Sequence, residues 1–134
     1  MSIRQLAADT GNQCLVMRVR RLARGLTRIY DEELRPFGIG AAQINLLVTL
    51  GALGPLRASE IGARLDIEKS TLSRTLARLD EQGLLEADDD QRLSLTAAGE
   101  RVVRESRPAW QRAQDRATAE LGPRLARALG EIPA

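Results

Sequence analysis

The stretch from Arg57 to Thr96, RASEIGARLDIEKSTLSRTLARLDEQGLLEADDDQRLSLT, leaves this chain few folds to choose from. Ala58 to Leu65 reads as a short helix with Ile61 and Leu65 apolar, and Asp66-Ile67-Glu68 leaves room only for a turn before a second helix begins. In that second helix Leu72, Leu76 and Leu79 recur at four- and three-residue steps, so they share one side and face a core. Lys69 stands at its start, and Ser70, Thr71, Ser73, Arg74 and Arg78 fall largely on the opposite side. Small hydroxyls permit close approach, and arginines one turn apart suit phosphates or guanine edges. The free N–H groups and partial positive charge of a helix N-terminus favour phosphate as well. An isolated polar helix face is more often simply solvated. Behind a first helix and a turn of this length, it implies a helix-turn-helix suited to a DNA major groove.

Leu84 to Ala87 and Arg92 to Leu95 are long enough for a two-stranded hairpin with Asp88 to Gln91 as its turn. A hairpin this small must lean on the helices beside it. The run ASEIGARLDIEKSTLSRTLARLDEQGLL followed by DQRLSLTAAGE resembles the MarR family of winged helix-turn-helix transcriptional regulators. The likeness lies in KSTLSR at the start of the second helix, in L-x-x-L-x-x-x-G-L-L at its exit, and in D-x-R … L-x-L-T-x-x-G after it. With helical patterns on both flanks it extends over nearly the whole chain. It implies a mainly α fold: a winged helix-turn-helix with a two-stranded β wing and N- and C-terminal dimerisation helices. Residues 1–134 would form a single domain, with 36–96 as the DNA-binding lobe and 1–35 and 97–134 as dimerisation helices. It also implies that Asp90 holds Arg92 toward the minor groove, where an arginine reads groove width. This wing is shorter than usual and has consecutive aspartates at its tip, which repel phosphate. Arg92 is alternatively a solvent-facing charge of the strand.

Asn12 to Leu34 reads as one long helix, with Leu15, Val19, Leu22, Leu26 and Ile29 at helical spacing and Arg18, Arg20, Arg21, Arg24 and Arg28 on the flanks. The favoured reading of these arginines is a solvated face, or pairing with Asp31, Glu32 and Glu33; the other is a comb for phosphates. In MarR-like proteins this helix belongs mainly to the dimer interface. Arg35-Pro36-Phe37-Gly38 ends it. Gln43 to Gly51 forms a further helix with Ile44, Leu47, Val48 and Leu50 largely buried, closed by Gly54-Pro55. After Thr96, a good N-cap, Ala97 to about Leu121 is helical, with a kink or break expected at Pro108. Arg124 to Glu131 supplies a last helix. These end segments have little of the domain left to pack on, so a second copy of the chain in a C2 homodimer is their economical partner. Two recognition helices held about 34 Å apart then read a palindrome on one face of DNA.

Composition sets the exclusions. In 134 residues, 43% are hydrophobic and 2% aromatic, so one core is built from Leu, Ala, Val and Ile. The net charge of +2 means that any affinity for nucleic acid comes from local clustering of arginine. One cysteine and no histidine exclude an internal disulfide and a thiolate–imidazole zinc site. No cofactor or metal is expected. The longest apolar run, around Ile44 to Leu53, is too short to span a bilayer and the N-terminus has no secretory pattern, so a cytoplasmic protein is expected. With no histidine, phosphate-cradling glycine loop or suggestive carboxylate pair, an enzyme is not expected.

Cys14 lies near the start of the first helix with Arg18 one turn on, a setting that favours thiolate. The organic-hydroperoxide-responsive MarR relatives look similar here and use an N-terminal cysteine as a switch, oriented by tyrosines; this chain has only Tyr30. The alternative is a small buried hydrophobe at a dimer contact. Taken together, the expected function is a homodimeric DNA-binding repressor on a palindromic operator, with Lys69, Ser70, Thr71, Ser73, Arg74, Arg78 and Arg92 on double-stranded DNA. A small apolar or anionic inducer between the DNA-binding and dimerisation regions, or an oxidant at Cys14, would release it. The second possibility is a winged-helix protein-interaction module without DNA binding.

Overall fold

A computed structural model describes residues 1–133 of the chain. Its elements are α1 (Ile3–Gln13), α2 (Leu15–Leu34), a 3₁₀ turn (Arg35–Phe37), α3 (Ala41–Leu53), α4 (Ala58–Leu65), α5 (Lys69–Glu81), β1 (Leu85–Ala87), β2 (Leu93–Leu95), α6 (Ala97–Leu121) and α7 (Pro123–Gly130). The fold is the mainly α winged helix expected, with one antiparallel two-stranded sheet in the register Leu85–Leu95, Glu86–Ser94 and Ala87–Leu93. Leu56 adds a bridge to Leu93 on the other side, exchanging two backbone hydrogen bonds of 3.0 and 2.7 Å, which ties the wing to the start of α4. No single helix is long and apolar enough to cross a membrane.

One core holds the lobe together. Leu34, Ile44, Leu46, Leu47 and Leu50 meet Ile61 of α4, Leu72 and Leu79 of α5, Leu84 and Leu85 of the wing, and Ala109 of α6. Burying side chains of this size contributes roughly 1.5–3 kcal/mol each, which fixes α5 against α3 and α4 rather than leaving it mobile. Val48 is 44% exposed, contrary to expectation; on α3 it is Gln43 and Leu46 that are buried beside Ile44, Leu47 and Leu50. A polar tie runs beside the core. Buried Gln43 donates to Gln82 Oε1 (2.6 Å), Gln82 donates to the Gly38 carbonyl (2.7 Å), and Gly40 N–H donates to Gln43 Oε1 (3.0 Å). The end of α5 is thereby bound to the loop that follows α2.

The N-terminal half of the chain departs from expectation. The single helix predicted over Asn12–Leu34 starts at Leu15, and a separate α1 precedes it, with Cys14 extended (φ −70°, ψ 111°) between the two. A capping box starts α1: Ser2 Oγ accepts from Gln5 N–H (3.2 Å) while Gln5 Oε1 accepts from Ser2 N–H (2.9 Å). None of its residues is buried.

Pro108 does not interrupt α6, which runs unbroken from Ala97 to Leu121. A proline costs a helix the N–H bond to the carbonyl four residues back, and here packing outweighs that cost. Ser106, Ala109, Ala113 and Ala117 are all buried, with α2 as the main neighbour of α6. Ser106 Oγ also donates to the Val103 carbonyl at 3.4 Å, beside the gap. The carboxylates of α2 settle the other face of the packing. Glu33 pairs with Arg112 (3.1 Å) and Arg116 (3.1 Å), and Glu32 with Arg116 (2.9 Å), while Asp31 Oδ1 accepts from Ala41 N–H (2.7 Å) at the start of α3. The expected pairing of these acids with the arginines of α2 is therefore incorrect. Arg18, Arg21 and Arg28 share an open hollow with Glu32, Arg116 and Glu120 and pair with no carboxylate among the described residues, whereas Arg112 and Arg116 are carried directly to Glu32 and Glu33.

Candidate nucleic-acid interface

The helix-turn-helix is positioned by three local features. Gly62 of α4 lies where a Cβ would come within 3.1 Å of Leu72 Cδ2, so the absence of a side chain lets α5 approach α4 closely. Asp66 adopts the left-handed region (φ 51°, ψ 48°) that ends α4, a conformation aspartate tolerates better than most residues. Glu68 then caps α5 through its backbone only, its carboxylate accepting instead from Ser70 Oγ at 2.9 Å. With Leu72 and Leu79 anchored inward, Lys69, Ser70, Thr71, Ser73, Arg74 and Arg78 are all exposed on the outer side.

This outer face is chemically open. Neither Arg74 nor Arg78 pairs with a carboxylate among the described residues. Arg74 makes a long 3.4 Å contact to Thr71 Oγ1, and Thr75 Oγ1 donates back to the Thr71 carbonyl (3.0 Å). Arg74, Thr75 and Arg78 also line an open cavity of about 610 Å³ whose other wall is Thr27, Asp31 and Arg35 at the end of α2 and Gly38–Gln43 beyond it. The α5 wall of this cavity is therefore cationic, and the opposite wall carries Arg35 beside Asp31, whose carboxylate is held by Ala41 N–H.

At the wing the turn is organised by Asp88. Its Oδ1 accepts from the N–H groups of both Asp90 and Arg92 (2.9 Å each), and the backbone adds Asp88 N–H to the Arg92 carbonyl and Gln91 N–H to the Asp88 carbonyl (3.0 Å each). An aspartate at the first position of a turn reaches the N–H two residues on, which is the geometry that Asp88 has and Asp90 lacks. No side-chain bond joins Asp90 to Arg92 among the described residues; the Asp90 carbonyl instead receives Arg57 Nε at 3.4 Å. Arg92 is exposed and is the one cation between Leu85 and Leu95. The wing leans on α6 through Thr96, whose Oγ1 donates to the Gly83 carbonyl (2.6 Å) and accepts from Gly99 N–H (3.1 Å).

Cys14 is half-buried at the elbow between α1 and α2, where it is the backbone N-cap of α2. Arg18, expected beside its thiol, turns its guanidinium to the Asn12 carbonyl. Sequence reasoning missed Gln43 and Gln82, which hold the end of α5. It also missed the tie from Glu32 and Glu33 to α6. Burial acts against ionisation of Glu33, but the hydrogen bond from Arg112, supported by Arg116, holds its carboxyl below the usual range.

Comparison with known proteins places this geometry among relatives. Residues 38–118 match the family model described as the HVO_A0261 N-terminal domain. The HTH-type transcriptional regulator YwoH of Bacillus subtilis is 35% identical over 72 residues, 54% of this chain and 53% of that protein. The matched stretch thus spans about half the length of that relative. The crystal structure of the M. tuberculosis transcriptional regulator MosR superposes with a TM-score of 0.79 at 31% identity, covering 90% of this chain and 93% of MosR. MosR in complex with DNA gives 0.76 at 31% identity, covering 88% and 93%. The reduced form of MarR from E. coli shares the fold, with a TM-score of 0.72, 23% identity and coverage of 91% and 93%.

Proposed function

This chain belongs to the MarR family of transcriptional regulators, and from that premise we propose that it works as a homodimeric repressor on a palindromic operator. It is a DNA-binding regulator, as its relatives are. The observation that carries the finer reading is the outer face of α5, exposed from Lys69 to Arg78, while Leu72 and Leu79 lock the helix from behind. Lys69, Ser70, Thr71 and Ser73 make the close contacts at the N-terminal end, and Arg74 and Arg78 take phosphates or guanine edges. Arg92 reaches the adjacent minor groove, oriented through its backbone by Asp88 more than by Asp90.

Residues 36–96 form the reading lobe and the chain ends form the dimer. Supporting this division, most of the exposed large apolar residues, among them Ile3, Leu6, Leu15, Val16, Val19, Leu125 and Leu129, lie on α1, the start of α2 and α7, with Val48 and Leu53 of α3 outside that set. Apolar exposure on this scale is costly on a monomer. The protein acts in the cytoplasm. Two features support release by a signal: the cavity of about 610 Å³ between the end of α2 and α5 suits a small apolar or anionic inducer, and Cys14 sits at an elbow whose oxidation would move α1. Selection of bound genomic fragments by the purified protein tests the reading. A palindrome with half-sites one helical turn apart is expected, and recovery of unrelated fragments with no shared element would overturn it.

A further inference from the structure

We infer that the basic face of α2 is a second phosphate-binding surface, which takes the DNA backbone beyond the base pairs read by α5; the inference rests on the DNA-binding reading above. Arg20, Arg24 and Arg28 stand four residues apart on one side of α2, so they are spaced by about 6 Å along its axis. All are exposed, and none pairs with a carboxylate among the described residues. Of the nearby acids, Glu32 and Glu33 are engaged with α6 and Asp31 with the start of α3, while Glu120 shares an open hollow with Arg28 without pairing to it.

The placement continues a surface already described. Thr27, Asp31 and Arg35 follow on the same side of the helix, within roughly 100° of arc, and they face Arg74, Thr75 and Arg78 of α5 across the open cavity. A mostly basic strip therefore runs from α5 across Arg35 and up α2, interrupted by Asp31, whose carboxylate is held by Ala41 N–H. At its far end Arg20, Arg21 and Arg24 line a second open hollow of about 710 Å³, against Ala7, Ala8, Gly11 and Asn12 of α1, with no carboxylate in its wall. Of the exposed apolar residues of α2, Leu15 and Val19 fall on a different side, whereas Val16 and Met17 lie in line with the strip at its N-terminal end; a dimer closed over Leu15 and Val19 leaves Arg24, Arg28 and Arg35 uncovered.

The repeat decides the kind of partner. A single small anion is best held by cations that converge on one point, whereas cations strung out one per turn suit an anion that itself repeats. Among polyanions, the one brought to α5 is the nearest. Such contacts position the duplex without reading its sequence.

The experiment compares the wild type with the double variants Arg24→Ala/Arg28→Ala and Arg24→Lys/Arg28→Lys on two duplexes, the fragment recovered by selection and a scrambled duplex of equal length, across a salt series. Circular dichroism checks that each variant is folded. For the alanine pair, affinity should fall by the same factor on both duplexes, and the slope of log K against log salt should flatten by about 0.9 per lost contact. The lysine pair should keep the wild-type slope. A wild-type slope in the folded alanine pair would overturn the inference and leave the role of α5 intact; a loss confined to the selected duplex would overturn it too, by making these arginines base readers. Failure of the wild type to bind either duplex would remove both readings.

Discussion

Gly99 offers the sharpest test of how the wing is held. It is buried in the first turn of α6, where a Cβ would lie 2.3 Å from the Leu84 carbonyl oxygen, 3.2 Å from its carbon and 3.4 Å from Leu95 Cβ. All three atoms belong to the wing or its root, and the nearest is backbone, so no rotamer change relieves the clash. To restore a separation of about 3.0 Å, α6 and the wing must part by about 0.7 Å. The same carbonyl accepts from Thr96 N–H at 3.1 Å, so that displacement strains this bond as well. Overpacking costs about 1–3 kcal/mol and a weakened hydrogen bond about 1, against about 1 gained from placing alanine in a helix. The net loss for Gly99→Ala is about 1–3 kcal/mol, or several degrees in Tm for a chain of this length. Thermal unfolding followed by far-UV circular dichroism reads it directly. Gly25→Ala, where nothing lies within 4 Å of the added Cβ, serves as the comparison and should be neutral or slightly stabilising. Gly99→Ala unfolding at the wild-type temperature or above would refute the reasoning.

Three further outcomes follow from the rest of the structure. Because Arg112 and Arg116 lower the Glu33 pKa, this carboxylate favours the folded state above the ordinary carboxylate range, and that contribution is lost as pH falls through the lowered value. Glu33→Gln should therefore be less stable than the wild type at neutral pH, with the gap closing in acid denaturation near and below pH 4.5; a gap constant with pH would contradict the assignment. Replacing Leu125 and Leu129 of α7 by Asp should convert a dimer to a monomer in sedimentation while leaving the α3–α5 core folded, and a wild type that sediments as a monomer would remove the dimer. Peroxide should release DNA from the wild type and not from Cys14→Ser; a wild type indifferent to peroxide would end the oxidant reading of Cys14.

The lobe was legible because its signals are local. Leu72, Leu76 and Leu79 announce the buried side of α5, and the short gap Asp66–Glu68 permits nothing but a turn. Ties between distant parts of the chain left no such trace. Gln43 and Gln82 are 39 residues apart, and Glu33 and Arg112 are 79 apart, so nothing in the neighbourhood of either residue marks its partner. The break at Cys14 has weak punctuation in Gly11-Asn12, and α1 itself buries no residue, which leaves its Ser2–Gln5 capping box as the signal that sequence reading could have used. At Pro108 the local rule was right about the lost bond, but the break it allowed does not occur. A row of small buried residues, Ala109, Ala113 and Ala117, lets α6 pack closely enough to stay continuous. The wing shows the converse: three adjacent aspartates look equivalent in sequence, and only the turn geometry singles out Asp88.

The most direct measurement is the affinity of Arg74→Ala for the selected fragment, titrated beside the wild type at fixed salt. With the α5 face on DNA, binding should weaken by about 1–3 kcal/mol, about five- to 150-fold, while the unfolding temperature stays at the wild-type value because Arg74 is exposed and pairs with no carboxylate among the described residues. An unchanged affinity would place the reading surface on another element.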